Sequence, residues 1–87
     1  MHYLGLRSTL KDMIKILDIL NANLTNSIGI SVEELHNLLN IDDEEYVLNL
    51  LTILDLDEYI EIFDNIIVKI RMKGIVLLEE YRKREEF

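Results

Sequence analysis

Eighty-seven residues allow one domain, residues 1–87, and 49% hydrophobic content suffices for one core, since a chain this size buries roughly two thirds of its unfolded surface. A net charge of −8 disfavours nucleic acid and anionic membranes, and the absence of cysteine excludes disulfides and thiolate chemistry. No apolar run reaches the ~20 residues that span a bilayer, and MHYLGLRS lacks the apolar stretch of a signal peptide, so a soluble, cytoplasmic protein is expected.

Leu10, Met13, Ile14, Leu17 and Leu20 recur at helical spacing, which predicts a first helix from Ser8 or Thr9 to about Asn21. Its wheel places Ile19 on the polar side, between Asp12 and Lys15. Asn21, Asn23, Asn26 and Ser27 mark a loop. Ser31 followed by Glu34 forms a capping box, with Ile30 and Leu35 at the hydrophobic staple positions, so a second helix spans Val32 to Leu39. The pattern repeats with Asp42 and Glu45 as box and Ile41 and Tyr46 as staple, which opens a third helix from Asp43 to about Leu54. The two or three residues between these helices suit the turn of a helix-turn-helix.

Beyond Asp57 the period becomes two. Ile60 and Ile62 fall on one strand and Ile66, Val68 and Ile70 on the next, so a β-hairpin is predicted with Ile62 opposite Ile66. Phe63, Asp64 and Asn65 then form the connection, with Asn65 left-handed. Lys73 and Gly74 close the second strand, and Ile75, Leu78 and Tyr81 lead a final helix.

Helix, helix, short turn, helix, hairpin, helix resembles the winged helix-turn-helix family, an α+β fold of three helices, a β-hairpin wing and a C-terminal helix. Two stretches carry the resemblance, SVEELHNLLNIDDEEYVLNLLTIL and IVKIRMKGIVLLEEY, the latter with Lys73 and Gly74 at the strand-to-helix corner. The resemblance implies that the third helix enters the DNA major groove and the wing meets the backbone or minor groove. Both contacts draw their affinity from Lys and Arg that neutralise phosphates.

This chain departs from that requirement. Between Ile16 and Val68 there is no lysine or arginine in 53 residues, against twelve Asp and Glu. The first turn of helix three reads Asp42, Asp43, Glu44, Glu45. Close approach of each to phosphate costs roughly 0.5 to 1 kcal/mol, or about 2 to 4 kcal/mol together. The same acids favour the helix dipole by ~0.3 to 1 kcal/mol each, which accounts for their presence.

With Val47, Leu50, Leu51 and Leu54 as the buried stripe of helix three, Glu45, Leu48, Asn49 and Thr52 face outward. Phe63 and Ile67, with Tyr59, add apolar area on the outward face of the hairpin. These residues are the expected protein-contact surface of an accessory subunit or adaptor in transcription or replication machinery. The alternative is a dimeric DNA-binding regulator that uses Lys11, Lys15, Lys69, Arg71, Arg82 and Lys83. A third reading is a DNA mimic that competes through its acidic helix. Apolar Tyr3, Leu4, Leu6 and Phe87 near the termini would be covered by self-association as a homodimer.

No catalytic constellation stands out. His2 and His36 cannot build a transition-metal site without cysteine, and His36 reads as a surface helix residue. DLDEYIEIFDNI fails as a calcium loop, because Ile60 stands where the turn needs glycine and Ile66 where a bidentate Glu is needed. The serines lack a histidine base and the glycines are isolated. Neither an enzyme, a cofactor nor a small-molecule substrate is expected.

Overall fold

The computed structural model describes residues 2–23 and 29–85, with side chains placed over 9–23 and 29–84. The elements are α1 (His2–Ala22), β1 (Ile30–Ser31), α2 (Val32–Leu39), α3 (Glu44–Leu56), β2 (Ile60–Phe63), β3 (Ile67–Ile70) and α4 (Met72–Glu85). The result is a small α+β fold, four helices around a three-stranded antiparallel sheet of order β1-β3-β2.

Helix α1 begins at His2, ahead of the expected start at Ser8 or Thr9. It packs against α2, α3, α4 and β3, and this broad environment widens its apolar arc. Ile16 is fully buried beside Ile14, Leu17 and Leu20. Ile19 packs against the core rather than standing on the polar side. Leu10, expected in the core stripe, is 48% exposed, because it lies at the rim of the α1–α4 seam. Of the expected loop, Asn21 lies within α1, and Asn23 ends it by donating its backbone and side-chain N–H groups to the Ile19 carbonyl. Asn26, Ser27 and Phe87, and the side chains of Tyr3, Leu4 and Leu6, lie outside the described residues.

Helix α2 has the expected bounds. Ser31 is its N-cap and accepts from the Glu34 N–H at 3.1 Å, and both staple residues, Ile30 and Leu35, are buried in the core. Asn40 ends it in the left-handed conformation, φ 57°, which asparagine tolerates. The cap of α3 is Asp43 rather than Asp42, accepting from the Tyr46 N–H at 3.1 Å. This one-residue shift leaves the expected second capping box unformed, since Tyr46 and not Glu45 occupies the third helical position.

Tyr46 is fixed from its other end, where its hydroxyl donates to Asp12 Oδ2 of α1 at 2.6 Å. Burial, followed by the hydrogen bond to the Asp12 carboxylate, holds the phenol above its ordinary pKa of about 10. The unfolded chain therefore releases this proton first as pH rises. The stability contributed is complete below about pH 10 and is lost as pH climbs through the higher folded value. Tyr46→Phe is expected to cost about 1 kcal/mol at neutral pH. In urea unfolding the gap between the two proteins should narrow from pH ~7 to pH ~11; an unchanged gap would contradict the raised phenol.

Helix α3 ends in a Schellman motif: Glu58 N–H donates to the Asp55 carbonyl at 3.0 Å and Tyr59 N–H to the Leu54 carbonyl at 2.9 Å. Glu58 holds the left-handed position at φ 66°, where glycine is usual.

The hairpin pairs Ile60 with Ile70, Ile62 with Val68 and Phe63 with Ile67, so the expected Ile62–Ile66 register is displaced by two residues. Asp64 and Asn65 both have positive φ, 52° and 58°, and Ile66 N–H donates to the Phe63 carbonyl at 3.0 Å. This tight turn, built from residues that accept positive φ, leaves Ile66 outside the ladder and 58% exposed. An even shift preserves the faces, so Ile60 and Val68 remain buried. Strand β1, which no periodicity announces, pairs Ile30 with Val68 and Ser31 with Ile67.

Lys73 and Gly74 do not close a strand but lie in the first turn of α4, which starts at Met72. Arg71 N–H donates to the Tyr59 carbonyl at 2.9 Å, docking this turn on the end of α3. Fourteen apolar residues from all helices and the sheet form one core, and no polar or charged residue among those described is buried.

Candidate protein-contact surface

Helix α3 buries Val47, Leu50, Leu51 and Leu54, as its periodicity predicts. Glu45, Leu48, Asn49 and Thr52 are all exposed on its other side, Leu48 at 45%. Thr52 Oγ1 donates to the Leu48 carbonyl at 2.9 Å and so stays on the helix surface. Phe63 and Ile67 are direct cross-strand partners, which puts them together on the outward face of the hairpin. Phe63 is 41% exposed and Ile67 half-buried. Tyr59 adds little there, because it packs against the core and the Lys73 ammonium covers its ring at 4.8 Å from the centroid.

The wheel of α3 alone could not disclose a groove between α2 and α3 with a volume of about 340 Å³. Val32, Glu33 and His36 line one wall, and Glu44, Val47 and Leu48 the other. Val32 and His36 are one helical turn apart on α2, and that spacing was the available signal. His36 is half-buried rather than a plain surface residue, and its Nε2 is shielded from solvent without a hydrogen-bond partner among the described residues.

The basic residues lie elsewhere. Helices α1 and α4 pack together, and Lys11, Lys15 and Lys83 are exposed. Arg82 is engaged by Asp18. Arg71 bridges Glu61 at 3.6 Å and donates from Nε to the Ile60 carbonyl at 3.2 Å. Lys69 is half-buried opposite Glu61 across the hairpin. Lys73 Nζ donates to the Asp57 carbonyl at 2.7 Å. Lys11 and Lys15 thus lie on α1, the helix whose Asp18 pairs with Arg82, whereas Lys69 and Arg71 lie at the hairpin beside Glu61.

Among the described residues, no cluster of His, Asp and Glu has the arrangement to hold a metal ion, and no helix is long and apolar enough to cross a membrane. Comparison with known proteins finds no matching family model, no matching curated sequence and no matching solved structure.

Proposed function

We propose that this chain is a small winged-helix protein that works by protein contact, as an accessory subunit or adaptor in transcription or replication machinery. The order of elements and the three-stranded antiparallel sheet are compatible with that fold. One observation carries the reading: the outer face of α3 presents Leu48 to solvent, opens with Glu44 and Glu45, and contains no lysine or arginine. Such a face lacks the counterion-releasing charge from which DNA affinity is drawn, and it offers the apolar anchor that protein interfaces use at their centre. Glu45, Leu48, Asn49 and Thr52, with Phe63 and Ile67 of the hairpin, form the proposed contact surface. A homodimer belongs to the same proposal and would bury further apolar surface.

The test is affinity capture from an extract of the source cells, comparing the wild-type chain with the Leu48→Asp/Phe63→Asp variant. Both side chains are exposed, so the variant should keep its circular dichroism spectrum and melting profile. Partner retention is expected to fall at least tenfold. Equal retention by the folded variant overturns the assigned surface.

A further inference from the structure

We propose that the groove between α2 and α3 is the docking site for a cationic amphipathic helix of a partner protein. An apolar side chain of that helix seats against Val32, Val47 and Leu48, and flanking Lys or Arg side chains meet Glu33 and Glu44. The inference rests on the protein-contact reading above and specifies its partner.

The size of the groove, its charge and its shape lead to this occupant. At about 340 Å³ it is large enough to enclose an apolar side chain. Its floor is apolar: Val47 is buried, Val32 packs on the core, and Leu48 stands 45% exposed at the edge. Both walls carry an exposed carboxylate, Glu33 from α2 and Glu44 from α3. Acids in a first turn are ordinary taken alone, but here they flank an open apolar floor. With no lysine or arginine from Ile16 to Val68, neither wall offers Glu33 or Glu44 a lysine or arginine partner. A complementary surface is therefore apolar at its centre and positive at its rim.

One turn of each helix lines the groove, Val32 to His36 of α2 and Glu44 to Leu48 of α3, about 6 Å along each axis. That length takes a single apolar anchor of a docked helix, whose neighbours at i+3 or i+4 fall on the flanks. Basic residues on the flanks of such a helix then reach Glu33 on one side and Glu44 on the other.

The experiment titrates the isotopically labelled full chain with a synthetic amphipathic peptide of leucine and lysine, followed by amide chemical shifts. Its counterpart with glutamate in place of lysine serves as a control. The expected result is saturable movement centred on Val32, His36, Val47 and Leu48, no binding of the glutamate peptide, and at least tenfold weaker binding by Glu33→Lys/Glu44→Lys. An Asp55→Lys/Glu79→Lys variant makes the same change in net charge at exposed positions outside the groove, and should bind the lysine peptide within about twofold of wild type.

Equal weakening by the two variants, shifts spread over the whole acidic surface, or unmoved groove resonances would overturn the proposal. So would occupation of the groove by a second copy of the chain, seen as concentration-dependent shifts without peptide. If the groove fails while Leu48→Asp/Phe63→Asp still abolishes partner capture, the contact surface survives and only its assigned occupant falls. If capture is also unchanged, both readings fall.

Discussion

Gly74→Ala is expected to lower the stability of this domain by about 2 kcal/mol, a fall in melting temperature of roughly 8 to 16 °C. In an unconstrained helix the same change gains about 0.5 to 1 kcal/mol, because glycine loses more backbone freedom on folding. Here a Cβ at position 74 would stand 2.3 Å from the Tyr59 carbonyl oxygen, 2.9 Å from Ile70 Cγ1 and 3.2 Å from Leu17 Cδ2. The side chains can shift, but the carbonyl is held. It accepts from Arg71 N–H at 2.9 Å, and the N–H of the same residue closes the Schellman motif on Leu54 at 2.9 Å. Relief therefore requires α4 to move away from the end of α3, opening the contact among Leu17, Ile70 and the first turn of α4. Thermal unfolding followed by circular dichroism measures the effect. A melting temperature equal to or above that of wild type would mean that α4 is not packed against Tyr59 as described.

The sequence signals that succeeded were local and redundant. Ser31 with Glu34, followed by apolar residues at helical spacing, was enough to place both ends of α2. Four periodic apolar positions, Val47, Leu50, Leu51 and Leu54, fixed the buried face of α3 and by subtraction its exposed face. Where two local solutions were nearly equal, sequence could not choose. Asp42 and Asp43 are both good caps; Asp43 takes the role in a structure where Asn40 turns left-handed and the Tyr46 hydroxyl reaches Asp12. Strand alternation is likewise blind to an even register shift, so Ile66 read as a core residue although it lies in the turn. The turn selects the observed register, with Asp64 and Asn65 both at positive φ and Ile66 N–H donating to the Phe63 carbonyl.

Features that depend on distant contacts were not legible. Strand β1 has two residues and exists through its ladder with β3. It is preceded by Gly29 at φ 95°, where a Cβ would lie 2.8 Å from the Val68 carbonyl oxygen. In sequence Gly74 reads as a corner residue, whereas its role is the close approach of α4 to Tyr59. The groove was invisible for the same reason: each wall is an unremarkable helix face, and its shape depends on how α2 and α3 are set relative to one another. Charge was the exception, since the absence of cations over 53 residues is a property of the sequence itself and survives any arrangement of elements.

If that absence is what separates α3 from DNA, restoring cations should restore binding without rebuilding the fold. Glu45, Asn49 and Thr52 are exposed on the outer face of α3, away from its buried stripe. Replacing all three by lysine changes the net charge from −8 to −4, two units at Glu45 and one at each of the others. Loss of the Thr52 hydroxyl bond to the Leu48 carbonyl leaves the helix ladder intact. Wild type is expected not to bind mixed-sequence duplex DNA even at low salt. Three phosphate contacts in the variant give a log–log salt slope of about −2.7, hence roughly forty-fold weaker binding at about 200 mM than at about 50 mM salt. Fluorescence anisotropy over that range reads both quantities. Micromolar binding by wild type would show that the acidic face does not exclude DNA and would shift attention to Lys11, Lys15 and Lys83. A folded variant that remains unable to bind would show that more than charge is missing from α3, which would count against the winged-helix reading of that helix and leave its apolar and acidic surface to be explained by protein contact alone.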